Sequence, residues 1–465
     1  MSQSKKMLMA AAGSGGEEKG WFRTWGTLGT ENTTRIISDS SGNIYSVGYS
    51  SSPADVVVAK HDKNGVFQWT RSFSLRSSTS FNNYVRDVDF DSSGNIALFG
   101  NSTATSDSNL TDIFCVKYNP AGDKVFHVSF TSPPNAQGIT ILSGKIDPAD
   151  DSIYFAGSRR NGGSFAATDA YLAKVNSDGT SITWARKLSW QNTLYIYERF
   201  NDIALDSSAN VICVGETAKN YGLGIVAKYN SSGVLQWKRK VDNTGTQTRV
   251  VFNAVAIDSS DNIYVTGSDT SAFGLLVFKY NSSGVLQWKR RVFDGTFQNS
   301  KYPTGKDITF ASDGTLIITG YLIWNSPTQN YSYGGYILSM GTDGTIIYDR
   351  AFGGSQYLNF GRTFFNGVTT QGSNMVHGGE TTIPSDTEQA SSFEYDFLVV
   401  KLPVDGSLTG TYQTYYIYEP VGIPVVADTL EDTDATEILD TASNLDFTSL
   451  NPPVNLELYN RLTVT

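Results

Sequence analysis

The sequence predicts an all-β fold built from seven copies of one unit, and three observations support this prediction. Two stretches are nearly identical, KYNSSGVLQWKRK at residues 228–240 and KYNSSGVLQWKRR at residues 279–291. A second phrase recurs ahead of such copies, as DSSGNIYSVG at Asp39–Gly48 and DSSDNIYVTG at Asp258–Gly267. The period is roughly 50 residues and contains only strand signals, a pattern typical of a propeller.

Each unit holds four predicted strands, a to d, and three markers count the units. A glycine ends strand b, a lysine ends strand c, and a second glycine lies in the turn between strands c and d. The strand b glycines are Gly48, Gly100, Gly157, Gly215, Gly267, Gly320 and Gly379. The turn glycines are Gly65, Gly122, Gly179, Gly233, Gly284, Gly344 and Gly406. The lysine recurs in six units, and Ser339 replaces it in the sixth. We therefore expect a seven-bladed β-propeller of four-stranded blades over residues 21–416.

The ring is expected to close through the start of the chain. Strand d carries an aromatic residue and then an arginine in most units, as at Trp237 and Arg239. The seventh unit has no aromatic residue near Gly410, whereas Trp21 and Arg23 stand alone ahead of the first unit. Residues 21–28 are therefore predicted to form the outer strand of blade seven, because closure removes the open ends of the ring.

An aspartate ends strand a, and the lysine ends strand c, so antiparallel pairing brings both to one rim. The predicted ion pairs are Asp39/Lys60, Asp91/Lys117, Asp147/Lys174, Asp206/Lys228 and Asp258/Lys279. The alternative is that these are solvated turn charges that contribute little free energy.

Composition excludes several classes of function. The chain has 45 acidic and 35 basic residues, a net charge of −10, which disfavours nucleic acid or an anionic membrane as partner. No apolar run reaches the roughly 20 residues that span a bilayer. The three histidines, His61, His127 and His377, fall in different units, and no catalytic or metal-binding motif occurs. We expect no enzyme activity, no metal and no cofactor, and we expect Cys115 and Cys213 to be free and buried.

The connections on the opposite rim are long and differ from unit to unit. They are Ser158–Asp169, Trp190–Phe200, Phe293–Lys306, Tyr321–Gly335 and Thr381–Asp396, among others. Variable loops on a rigid scaffold are common in binding proteins, and loops rich in Tyr, Trp, Asn, Ser and Gly suit adaptable contacts. The residues predicted to contact a sugar or a protein are Trp190, Tyr195, Tyr197, Trp324, Tyr331 and Tyr333. The alternative is that these aromatic side chains pack on one another to hold the loops.

Two segments flank the repeats. Residues 1–20 are predicted to be a flexible arm, because the apolar run after Lys5 and Lys6 is too short for a secretory signal. Residues 417–465 are acidic, with four prolines and a single basic residue. Their short alternating segments predict strand pairing that docks this tail on another subunit, and disorder is the alternative.

The phrase D-S-S-G-N-I-Y followed by K-Y-N-S-S-G-x-L-Q-W-x-R resembles the SBBP-type β-propeller repeat of bacterial extracellular proteins, over about residues 21–410. This resemblance implies a secreted or surface-exposed binding scaffold, usually without known catalysis. The flanks instead resemble structural proteins of marine tailed bacteriophages.

The second resemblance implies a virion protein, a component of a fibre, a tail or the capsid surface. Its loop face would bind a host-surface glycan or protein, and its tail would bind other virion subunits, in a chain that could form a homo-oligomer. A bacterial secreted or cell-surface scaffold is the alternative. A polysaccharide-degrading enzyme is the third hypothesis, because the many Asp and Glu residues could supply a carboxylate pair.

Overall fold

The computed structural model consists of β-strands arranged as seven antiparallel sheets in a ring, which confirms the predicted seven-bladed β-propeller. Short apolar runs separated by tight turns produce these strands, as the repeat predicts. The structure describes residues 20–25, 30–50, 55–75, 81–104, 111–131, 138–160, 167–190, 197–217, 222–242, 249–269, 274–292, 301–325, 331–353, 362–382, 395–407, 410–412, 416–420, 425–426, 431–434, 438–442, 448–449 and 458–459. Beyond residue 407 it describes the backbone only. The predicted arm 1–20 lies outside these residues except for Gly20.

The chain begins with β1 (Trp21–Trp25) and then builds the blades in order. Blade one holds β2 (Glu31–Ser38), β3 (Ile44–Ser50), β4 (Val56–His61) and β5 (Phe67–Phe73). Blade two holds β6 (Phe81–Phe90), β7 (Ile96–Ala104), β8 (Thr111–Tyr118) and β9 (Lys124–Thr131). Blade three holds β10 (Ile139–Ile146), β11 (Ile153–Arg160), β12 (Thr168–Val175) and β13 (Ile182–Trp190). Blade four holds β14 (Glu198–Leu205), β15 (Val211–Thr217), β16 (Leu223–Tyr229) and β17 (Leu235–Asp242).

The last three blades repeat the same order. Blade five holds β18 (Val250–Ile257), β19 (Ile263–Asp269), β20 (Gly274–Tyr280) and β21 (Leu286–Val292). Blade six holds β22 (Lys301–Phe310), β23 (Leu316–Asn325), β24 (Tyr331–Met340) and β25 (Ile346–Gly353). Blade seven holds β26 (Thr363–Gln371), β27 (Asn374–Thr381), β28 (Asp396–Pro403) and β1.

The first strand of each blade lies around the centre of the ring. β2, β6, β10, β14, β18, β22 and β26 each contact the first strand of the next blade, and β26 returns to β2. Between neighbouring blades lie apolar cores, such as Tyr45 and Phe73 of blade one against Phe114 of blade two. Cys115 in β8 and Cys213 in β15 are buried in two of these cores and are not in disulfides, as predicted.

The outer strand of a blade is bonded to the c–d turn of the next blade. Arg239 Nε donates a hydrogen bond to the carbonyl oxygen of Gly284 at 2.9 Å. Gly284 has a φ of 75°, and a Cβ there would lie 2.5 Å from the ring of Trp237, which explains the recurring turn glycine. Five further arginines donate to the turn glycine of the next blade: Arg23, Arg71, Arg186, Arg290 and Arg350. Blade two has Val128 at this position.

The predicted closure of the ring is confirmed. β1 pairs antiparallel with β28, with Trp21 opposite Lys401 and Trp25 opposite Phe397. Trp21 is only 4% exposed and packs with Ile36 and Val399 from the two sides of the seam. The first and last blades are therefore joined by the start of the chain.

The described strands within residues 416–459, which we call the belt, pair with the outer edges of the blades. β30 (Tyr416–Pro420), preceded by its partner β29 (Gly410–Tyr412), pairs with the outer strand of blade six. The following strands pair with the outer strands of blades five, four, three, two and one, in that order. They are β31 (Val425–Val426), β32 (Glu431–Asp434), β33 (Ile438–Ala442), β34 (Thr448–Ser449) and β35 (Leu458–Tyr459). The belt thus pairs with its own propeller, and docking of the tail 417–465 on another subunit stays a prediction.

Three of the five predicted ion pairs form, with Nζ–Oδ2 distances of 3.2 Å for Lys117–Asp91, 3.3 Å for Lys174–Asp147 and 2.8 Å for Lys228–Asp206.

The predictions for Asp39/Lys60 and Asp258/Lys279 are wrong. In both blades the hydroxyl of a tyrosine on strand b bonds the aspartate instead. The hydroxyl of Tyr45 donates to Asp39, and Lys60 lies over the Tyr45 ring and donates to the Pro120 carbonyl instead. Tyr264 intervenes between Asp258 and Lys279 in the same way.

Replacing Lys228 with methionine is expected to lower the unfolding free energy by about 1–3 kcal/mol, because Asp206 would lose its buried partner. Burial acts to raise the pKa of Asp206, but hydrogen bonds from Lys228 and Asn210 outweigh it and the pKa is lowered. Lys60→Met is the matched control, since Lys60 also donates to a carbonyl but has no carboxylate partner among the described residues. Urea unfolding of both variants measures the difference, and equal losses would show that the carboxylate contributes nothing.

Candidate ligand-binding site

The structure describes only part of the loop face on which the predicted contact residues lie. Tyr195 lies outside the described residues, and for Trp190, Trp324 and Tyr331 only the strand backbone is described. Tyr197 and Tyr333 are described and half-buried. A role of these six residues in ligand contact stays a prediction. Tyr197 and Tyr333 each contact an arginine, and Tyr197 belongs to a cluster of cations and tyrosines near the axis.

Every inner strand carries a β-bulge near the loop face, opposite the glycine that ends strand b. In blade two, Val85 pairs with Gly100 and Asp87 with the preceding Phe99, so Arg86 is the extra residue. A Cβ on Gly100 would lie 2.1 Å from the Tyr84 carbonyl oxygen, and the equivalent distances in the other blades are similarly short. The strand b glycine therefore recurs because the bulge brings two backbones into contact.

The residue at the bulge differs in chemistry between blades. Asn201, Asn253 and Asn366 each donate a side-chain hydrogen bond to a carbonyl of the next inner strand, at 2.8, 2.7 and 2.9 Å. Blades two and six have Arg86 and Lys306 there instead. Among the described residues, neither of these cations has a hydrogen bond or an ion pair. The bulges of blades two and six therefore carry charges that no described residue pairs with.

The charge of Arg199 acts on both Arg86 and Lys306 across the centre of the ring. Burial lowers the pKa of Arg86, and the positive charge of Arg199 lowers it further, although nearby tyrosines oppose the shift. Burial also lowers the pKa of Lys306, with additional lowering by Arg35 and Arg199. Arg35, Arg86, Arg199 and Lys306 belong to blades one, two, four and six. No two of them that interact lie on adjacent blades, so their charges influence each other across the axis. Their side-chain charges therefore lie close to the central channel.

Tyrosines accompany the three cations. The guanidinium of Arg86 lies 4.8 Å from the centre of the Tyr84 ring, and that of Arg199 lies 5.3 Å from the centre of the Tyr197 ring. Lys306 Nζ lies 5.5 Å from the centre of the Tyr321 ring. Such cation–π contacts orient the cations. We call Arg86, Arg199, Lys306, Tyr84, Tyr197 and Tyr321 the axial mouth.

Two carboxylates partly compensate the charge. Glu216 is fully buried between Arg199 and Arg249, with both guanidinium–carboxylate distances at 2.6 Å. Burial raises the pKa of Glu380 to about 7, against the lowering effect of Lys306. Tyr333, one of the predicted contact residues, lies beneath the guanidinium of Arg362 at 4.9 Å. On the described loop face, Glu216 thus contacts Arg199 and Arg249, and Glu380 feels the charge of Lys306.

A layer of carboxylates lies deeper along the same inner strands. Ser143 Oγ donates to Asp87 or Asp202, at 2.6 and 3.0 Å, and these two carboxylates accept backbone N–H groups of the next blade. Arg35 and Lys145 lie 3.5 Å from Asp87. Burial, then the charge of Asp87, raises the pKa of Asp202 to about 6, while Lys145 and Arg35 outweigh burial and lower the pKa of Asp87. This layer binds neighbouring blades together.

The cations of the axial mouth were missed from the sequence, although a signal for them exists. A glycine that ends strand b marks a bulge on strand a, and the residue at that bulge can be read about fifteen positions earlier, as Arg86 can from Gly100. The sequence alone therefore shows asparagine at three of these bulge positions and a cation at two others. What the sequence could not show is that blades two, four and six bring their charges to one axis.

Comparisons with known proteins give the fold class and little more. No family model matches the chain. An uncharacterized WD repeat-containing protein of Acanthamoeba polyphaga mimivirus is 23% identical over 181 residues, which is 32% of this chain and only 13% of that protein. Solved structures with similar folds include the phage phi92 endosialidase, at a TM-score of 0.45 and 10% identity, covering 81% of this chain and 67% of that one. The WD40 domain of SCAP from fission yeast has a TM-score of 0.37 and 10% identity, covering 88% and 92%.

Several other similar structures are glycoside hydrolases or sialidases at equally low identity, such as an ancestral GH74 enzyme at 10%. Among the residues that the structure describes, no group of three His, Cys, Asp or Glu side chains is placed to hold a metal ion. The same residues contain no helix that could cross a membrane.

Proposed function

We propose that the protein is a non-enzymatic binding component that presents the loop face of its propeller to a surface glycan or protein. The observation that carries this proposal is the axial mouth, a cluster of cations and tyrosines at the centre of a face in a chain with a net charge of −10. Cations that are half-buried and close to other cations are destabilised by lost hydration and by mutual repulsion, and a bound anion would offset both effects. The rigid ring behind it would hold that site in one geometry.

The binding component is proposed to belong to a virion, as part of a fibre, a tail or the capsid surface. The resemblance of the flanking segments to phage structural proteins supports this assignment. The SBBP-type resemblance of the repeat supports the alternative, a bacterial secreted or cell-surface scaffold. In this proposal the loop face meets the host surface, and the tail 417–465 binds other virion subunits, by adding its strands to outer blade edges as it does here within one chain. A homo-oligomer would fit such a role.

Purified particles test the virion assignment. The protein is expected at a fixed copy number per particle, and labelled protein is expected to bind envelope material of a susceptible host. Deleting residues 417–465 should abolish incorporation into particles. Absence from particles, together with export to a bacterial surface, would instead establish the secreted or cell-surface scaffold. Normal incorporation of the deletion variant would overturn the anchoring role of the tail.

Saccharide cleavage is the second candidate function, and one observation favours it. Asp87 and Asp202 share Ser143, and their pKa values are displaced in opposite directions, as in acid–base pairs of glycosidases. Both carboxylates are buried and hold backbone N–H groups of the next blade, which favours a structural role. Release of reducing ends from host capsule by the protein, lost in Asp202→Asn, would establish the enzyme.

A further inference from the structure

We infer that the axial mouth binds the carboxylate groups of an acidic saccharide, and that Arg86 and Lys306 are the residues that hold them. This inference names the ligand class of the binding face and so rests on the proposed function. No described residue forms a hydrogen bond or an ion pair with either of these two cations. Three other blades fill the same bulge with asparagine and gain a hydrogen bond to the next blade by doing so. Blades two and six forgo that bond.

The arrangement of charges favours a bound anion. Arg199 already has a carboxylate partner, Glu216 at 2.6 Å, which it shares with Arg249, whereas Arg86 and Lys306 have no ion pair among the described residues. Both are half-buried next to tyrosine rings, where a positive charge is less well solvated than in water. The positive charges of Arg199 and Arg35 add repulsion. An oxyanion beside either cation would offset this repulsion, and the planar guanidinium of Arg86 matches a carboxylate with two parallel hydrogen bonds.

The rest of the molecule favours a saccharide over a nucleic acid. A chain with a net charge of −10 repels a long, densely charged polyanion, so the ligand should bring only one or two charges to the axis. Tyr84 and Tyr321 place phenol groups beside the two cations, and phenol groups can contact both the apolar faces and the hydroxyls of sugar rings. An acidic saccharide with spaced carboxylates fits both requirements.

The decisive variant places at both bulges the residue that three other blades of this chain have there. In the double variant Arg86→Asn and Lys306→Asn, each bulge receives the residue found at Asn201, Asn253 and Asn366. The variant is therefore expected to fold and to unfold at the wild-type temperature or higher. Full-length wild-type and variant proteins are compared on a panel of uronic-acid and sialic-acid oligosaccharides, each paired with its carboxyl-reduced counterpart, by titration calorimetry.

Wild-type protein is expected to bind at least one acidic oligosaccharide and to bind its carboxyl-reduced counterpart about 10- to 100-fold more weakly. The double variant should lose affinity for the acidic form by a similar factor and show no preference between the two forms. Glu380→Gln should bind the acidic form more tightly, since it removes a competing carboxylate near Lys306. Added salt should weaken binding.

Two further arms separate the alternatives. Inorganic phosphate and a phosphorylated oligosaccharide test whether the oxyanion is a phosphate, and tighter binding of these would replace the carboxylate in the inference. No binding of any acidic oligosaccharide at about 1 mM, or equal binding by the stable double variant, would overturn it. The proposed function fails differently, when wild-type protein binds no host envelope material. If such material binds the double variant normally, the binding face stands and the axial mouth is not its site.

Discussion

Replacing Trp21 with alanine is expected to lower the free energy of unfolding by about 3–5 kcal/mol, the usual cost of truncating a large buried aromatic side chain. Trp21 is 4% exposed and contacts residues on both sides of the seam, among them Ile36 and Val376. Trp21 lies on β1, which joins the sheet of blade seven. Among the described blades, this is the one whose strands come from both ends of the propeller sequence. Urea unfolding followed by circular dichroism measures the loss.

Trp69→Ala is the matched control for this prediction. Trp69 occupies the same place on the outer strand of blade one and lies against the turn of Gly122, but its strand follows β4 through a short turn. Trp69 is also more exposed, and a smaller loss is expected. Deleting residues 1–19 should leave unfolding unchanged, whereas deleting residues 1–25 should lower stability at least as much as Trp21→Ala. Stability equal to wild type after the longer deletion would contradict closure by β1.

Replacing His377 with glutamine is expected to remove one of three similar histidine contributions to the acid sensitivity of the protein. Burial lowers the pKa of His377 to about 3, and it lowers the pKa of His61 and of His127 to about 4. Each histidine is neutral in the folded chain but binds a proton in the unfolded chain below pH of about 6.5. The stability that each contributes is therefore complete above that pH and is lost as the pH falls toward the folded pKa.

The slope of unfolding free energy against pH measures this effect. Between about pH 4 and 6, the His377→Gln variant should lose close to one proton of uptake, or about 1.4 kcal/mol per pH unit of slope. Glutamine can still bond the hydroxyl of Thr319, which His377 Nδ1 contacts at 3.1 Å. Above about pH 8 the slopes of variant and wild type should coincide, because the imidazole is neutral in both states. Identical slopes at acidic pH would show that His377 is not buried as described.

The repeat allowed the ring, the blade count and the seam to be predicted, because each is a property of residues that recur. Trp21 and Lys401, far apart in the sequence, were matched through the missing aromatic residue of unit seven. The ion pairs of Lys60 and Lys279 were predicted wrongly because the hydroxyls of Tyr45 and Tyr264 bond the carboxylates. Tyr154 lies at the same position in blade three, yet Lys174 and Asp147 still pair, so the sequence alone does not separate the two outcomes.

The site depended on geometry that no single repeat contains. The direction of Arg86 follows from a bulge, and its influence on Arg199 follows from the closed circle of blades. The belt was missed for a related reason. Its strands are two to five residues long, and strands this short show no usable alternation of apolar and polar residues.

The belt also sets an order of assembly on the chain as it is made. Each blade from one to six can form soon after its residues leave the ribosome, but its outermost strand arrives later, and blade one waits longest, for Leu458 and Tyr459. During this interval the oldest blade edge remains open to pairing with strands of neighbouring nascent chains. Brief digestion from the carboxyl end should remove the belt strands in the reverse of the order in which they are made. The edge of blade one should therefore be exposed first and that of blade six last.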